Sequence, residues 1–164
     1  MSRTFQNAPL VEIVAELRWA APGLSAKDKA GHAVIAPLTL TSAIEPFFVR
    51  ISGAVAKRGF DRSESIVPAG PVLPHQMIYR YRRSDERPVL AQVGPGRFSV
   101  NALPPYKTWA EFRPWLEYGV QALLESLEGV PPLRASLRYI DAFGPNLTDG
   151  RTAGAFLTDV LGYK

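Results

Sequence analysis

Positions 11 to 19 alternate in character: Val11, Ile13, Ala15, Leu17 and Trp19 fall on one side, and Glu12, Val14, Glu16 and Arg18 on the other. A period of two is that of a strand with one buried face. The pattern then changes period. Ser42 to Glu45 reads as a capping box, and Ile44, Phe47, Phe48, Ile51 and Val55 recur at helical spacing up to Gly59, which predicts a helix from about 43 to 58. Residues 60 to 75, with Pro68, Pro71 and Pro74, read as loop. Met77, Tyr79 and Tyr81 restore the alternation against Ile78, Arg80 and Arg82, and turns at 84–88 and 94–96 separate two more strands, Val89 to Val93 and Arg97 to Asn101. Thr108 and Glu111 repeat the capping box ahead of Phe112, Leu116, Val120, Leu123 and Leu127, one helical face ending at Gly129. Leu137, Tyr139 and Phe143 alternate in a last strand, and a short helix is expected from about 152 to 161.

The order β-α-β-β-β-α-β plus a short C-terminal helix predicts an α+β fold, a mainly antiparallel sheet with helices on one face. Both long helices should pack on Ile13, Leu17, Tyr79 and Leu137. The opposite face is then left with polar residues, among which lie Val14, Ile78 and Ile140. Such a part-apolar face is expected to be covered by a C-terminal segment or a second copy of the chain.

Length and composition narrow the class without changing this picture. A chain of 164 residues with 46% hydrophobic and 21% charged content is expected to form one domain around its own core. It has no cysteine, which excludes disulfides, thiolate nucleophiles and cysteine-held metal. A reducing cytoplasm fits that composition. Glu12 and Glu16 interrupt the first apolar stretch, so a signal peptide is not expected, and no run approaches the ~20 apolar residues of a membrane span.

Few reaction chemistries are supported. His32 and His75 are the only histidines and sit in separate loop contexts, and there is no G-x-S-x-G elbow. Gly94-Pro95-Gly96 lies between two strands and reads as a hairpin turn, not a phosphate loop. Glu12 and Glu16 are ~13 Å apart along one strand face, too far for a paired acid and base. Trp19, Trp109, Trp115, Tyr79, Tyr81 and Phe98 read as core. No catalytic residue, metal or cofactor is expected.

Charge is the remaining signal. The chain carries 19 basic and 15 acidic residues, and arginine dominates the basic set. Two readings fit that excess: recognition of phosphate or carboxylate by a planar fork, and a genome of biased codon usage. Strand parity places Arg18, Arg80, Arg82, Arg97, Arg134 and Arg138 on the open face with Glu12, Glu16 and Asn101. The reading drawn first is a non-enzymatic binding or interaction module whose partner is anionic or another protein, a second copy included. The alternatives are a nucleic-acid-binding domain, suggested by pI ≈ 9.6 and by Arg80, Arg82, Arg83 and Arg87 in one hairpin, and an enzyme of unrecognised type.

Asn7 to Glu12, Gly94 to Asn101, Tyr106 with Trp109, and Leu137 to Asp141 together resemble a family of sporadically distributed bacterial proteins of unassigned function. The resemblance spans most of the chain. It implies a cytoplasmic bacterial protein, brings no catalytic residues, and implies that this chain is the N-terminal part of a longer architecture.

Overall fold

The structure, a computed structural model, describes residues 10–20, 26–27, 33–34, 45–67, 75–105, 108–129 and 131–163. The first alternating stretch forms β1 (Leu10–Arg18). The two-residue strands β2 (Ala26–Lys27) and β3 (Ala33–Val34) pair with each other, and α1 (Glu45–Ala56) follows. Next come β4 (Arg62–Ser65), β5 (Tyr79–Arg82), β6 (Val89–Gly94) and β7 (Arg97–Ala102). The long helix α2 (Trp109–Ser126) precedes β8 (Arg134–Asp141). The chain closes with α3 (Pro145–Thr148) and α4 (Ala153–Ala155), which runs on into a π-helical turn at Phe156–Val160. The main sheet has six antiparallel strands in the order β4-β5-β6-β7-β1-β8.

This is the expected α+β architecture, with both long helices on one face. The Thr108 side chain accepts from the Glu111 backbone N–H and caps α2, as the capping box requires. Ser42 of the other expected capping box lies outside the described residues. Phe48 and Ile51 of α1 and Phe112 and Leu123 of α2 are buried in one cluster with Ile13, Tyr81, Phe98 and Val100 of the sheet. Phe48 meets Tyr79 edge to face at 5.4 Å, and Ser52 shares a hydrogen bond with the Tyr81 hydroxyl at 2.8 Å. α2 lies close on β7 because Gly119 has no side chain: a Cβ there would meet Val100 Cγ2 at 2.4 Å. The two helices are tied by Arg50 Nε, which donates to the Ser126 carbonyl at 3.0 Å, and α2 is tied to the turn after α1 by the Arg58–Glu125 ion pair.

Several expectations need correction. Residues 62 to 65, read as loop, form β4: Arg-Ser-Glu-Ser has no apolar residue to alternate, and the strand is held by pairing with β5 instead. Ile78 was expected on the open face but is fully buried in the core, because regular β5 begins one residue later and parity does not extend back to it. Leu137 was expected in the core and is 43% exposed, since β8 is an edge strand exposed along its whole length. Trp109, at the first turn of α2, is also exposed, not core. Helix α3 was not anticipated, while the last helix fills the expected stretch, as α4 continued by the π-helical turn, with Phe156 its anchor against Phe143 at 4.9 Å between ring centres. Among the described residues, no helix is long and apolar enough to cross a membrane.

Candidate functional site

The open sheet face is organised in rows set by strand register. One row runs across all six strands as Glu64, Arg80, Gln92, Ser99, Glu16 and Ser136. A second places Arg97, Arg18 and Arg134 side by side on β7, β1 and β8. A third contains Leu90, Asn101, Val14 and Arg138, with Arg62 and Arg82 at its far end. These residues share a face because each strand alternates and the pairing is in register from β4 to β8.

Glu16 is the centre of the face. It is only 3% exposed, yet its carboxylate meets three guanidinium groups: Arg18 Nε at 2.6 Å, Arg138 Nη2 at 3.1 Å, and Arg97 Nη2. Burial alone would push the carboxyl up, but the Arg18 hydrogen bond and the Arg97 charge outweigh it and hold Glu16 below the usual carboxylate range. Beside it, Ser99 Oγ donates to Asn101 Oδ1 at 2.8 Å, and Asn101 Nδ2 donates to Glu12 Oε1 at 2.5 Å. Glu12 makes no ion pair among the described residues, so the two glutamates do different work.

Arg97 also reaches the segment before β5. Its Nη1 donates to the His75 carbonyl at 3.3 Å, while the His75 N–H donates to the Pro95 carbonyl at 3.0 Å and His75 Nδ1 lies 3.1 Å from the Gly96 carbonyl. His75 therefore braces the 94–96 turn. The second acidic position is Glu64, which pairs with Arg80 at 2.9 Å and Arg82 at 3.6 Å. The Nε atoms of Arg80 and Arg97 are buried without a hydrogen-bond partner.

The expected site residues thus fall into two groups on one face. Arg18, Arg97, Arg134, Arg138, Glu12, Glu16 and Asn101 come together on β7, β1 and β8, whereas Arg80 and Arg82 lie on β5, across β6. Arg62, Glu64, Ser99 and Gln92 also belong to the face and were missed in the sequence. The alternation of charged Arg62 and Glu64 with Ser63 and Ser65 was the available signal for β4, in charge and not in hydropathy. With these added, seven arginines share the face with three glutamates, a surplus of four positive charges. The arginine-rich hairpin, by contrast, is divided. Arg83 and Arg87 stack over Trp115 at 4.2 and 5.4 Å on the other side of the sheet and share Asp85, whose carboxyl the Arg83 hydrogen bond holds down at about 2.

Glu16 gives the fold an acid-sensitive element. Its folded pKa lies below the unfolded one, so its contribution is present above the unfolded value of ~4.3 and is lost as pH falls through the folded value. Denaturant midpoints measured from neutral pH into the acid should fall for the wild type, and Glu16→Gln should already be less stable at neutral pH with a shallower acid decline. Parallel acid declines would show that Glu16 is not the group responsible.

The chain matches no family model, no curated protein and no solved structure.

Proposed function

We propose that the protein is a binding module whose open sheet face takes an anionic group, a phosphate or a carboxylate, including one presented by a partner protein. One observation carries this reading. Arg97, Arg18 and Arg134 stand directly opposite one another on three adjacent strands, an arrangement that like charges disfavour, with Glu16 as the carboxylate that bridges the neighbourhood. Glu16 offers two oxygens to Arg18, Arg97 and Arg138, while Arg134 has no ion-pair partner among the described residues. Arg18 and Arg138 remain about half exposed, so donors are left over for an incoming anion.

Among the described residues, the open-face positions of the six strands carry no aromatic side chain on which bases would stack. A nucleic acid would be held by its phosphates alone. A cytoplasmic setting in a bacterium is part of the proposal and rests on the cysteine-free sequence and its family resemblance.

Anisotropy titrations with a labelled single-stranded oligonucleotide and with heparin, at several salt concentrations, test the reading. Binding should weaken steeply with salt, and Arg18→Ala with Arg134→Ala should lower the slope of log K against log salt by about 2. No binding at low salt, or an unchanged slope in the double variant, would leave these arginines as a solvated face.

A further inference from the structure

The two edges of the main sheet are built differently. β4 is short and presents Arg62, Ser63, Glu64 and Ser65, all exposed, which is how natural sheets blunt an edge. β8 is twice as long, pairs among the described strands with β1 alone, and exposes Leu137, Tyr139 and Ile140 by 43, 55 and 41%. Beside it, Leu17, Trp109, Leu116, Val120 and Leu137 line an apolar groove of about 400 Å³ between α2 and the edge.

We propose that β8 pairs antiparallel with the β8 of a second copy, joining two sheets across a two-fold axis at Leu137. The occupant follows from the strand's own sequence. For the helix layers of both copies to lie on one side, paired positions must have the same parity. Placing Leu137 on the axis sets Tyr139 opposite Ala135, Ile140 opposite Arg134, Arg138 opposite Ser136 and Asp141 opposite Leu133. Shifting the axis to Arg138 puts that arginine against itself, and shifting it to Ser136 puts Arg134 against Arg138. Of these registers, only the one centred on Leu137 avoids like charges face to face, and it also sets Tyr139 against Ala135 and Arg138 against Ser136, large against small. In it, the aromatic Tyr139 of each copy comes down beside the other's apolar groove. Registers of mixed parity would set Leu137 and Tyr139 against the arginine face.

The absence of cysteine makes the register directly testable. Position 137 meets its own copy across the axis, with Cα atoms about 4.5 to 5.5 Å apart, inside the reach of a disulfide. Position 140 is separated from its copy by six residues along the strand, roughly 20 Å. Under mild oxidation of the full chain, Leu137→Cys should cross-link to a covalent dimer and Ile140→Cys should stay monomeric. Sedimentation of the wild type, from micromolar to near-millimolar concentration, should show a reversible dimer, and Leu137→Lys should weaken it by about tenfold or more with an unchanged circular dichroism spectrum. A wild type that is monomeric throughout, a monomer that instead takes up an added strand-forming peptide, or equal cross-linking at 137 and 140 would overturn the self-pairing.

Discussion

Leu123→Ala is expected to lower the stability of the fold by ~2 to 5 kcal/mol, the range for deleting a buried leucine side chain. Leu123 is fully buried on the face of α2 that meets the sheet, in the same cluster as Phe98, Val100 and Phe112. The cavity could not collapse easily, because α2 is already seated against β7 at Gly119 and is anchored to α1 through Ser126 and to the turn after α1 through Glu125. Phe48→Ala should behave alike, since it removes the ring that joins α1 to Tyr79. Urea midpoints with an unchanged m-value would measure both, and a loss below ~1 kcal/mol would show that the residue lies outside the core.

Gly94→Ala should cost ~3 kcal/mol or more, at the upper end of overpacking effects. A Cβ at Gly94 would stand 1.8 Å from the Gln76 carbonyl oxygen and 2.7 Å from its carbon, and those are backbone atoms that cannot rotate away. They could retreat only by breaking the bonds of His75 N–H to Pro95 O at 3.0 Å and Ile78 N–H to Val93 O at 2.8 Å. The same movement would withdraw the His75 carbonyl from Arg97 and so loosen the cluster around Glu16. Gly53→Ala is the control: it lies in α1 with nothing within 4 Å of an added Cβ, so it should stabilise by about 0.4 to 1 kcal/mol. If both variants melt alike, the approach of residues 76–77 to β6 does not require glycine.

Most of the scaffold was legible where one side of an element is buried. β1, β6, β7 and α2 show their inner faces as regular apolar spacing, and their bounds differ from expectation by a few residues at most. β4 was invisible to hydropathy, because its stability comes from pairing with β5 and none of its own side chains is apolar. Leu137 was misjudged for a related reason: alternation tells which side of a strand a residue faces, not whether the strand has a neighbour on both flanks. Parity collected six of the seven open-face arginines and missed Arg62, and it could not show that Glu16 meets three of them while Glu12 meets Asn101. That division depends on register, in which Glu16 stands opposite Ser99 and next to Arg97, and register is a property of the assembled sheet.

The bonds on that face have a consequence for how the strands find one another. A slip of β7 along β1 by two residues that set Asn101 opposite Glu16 would keep Phe98, Val100 and Ala102 on the helix side, so the apolar core discriminates weakly against it. The polar side does not forgive the same slip: Asn101 would leave Glu12, Arg97 would leave Glu16, and a nearly inaccessible carboxylate would lose a cation. The charged row thus penalises a misalignment of β7 on β1 that hydrophobic collapse alone would admit, through groups that contribute little to the bulk of the core.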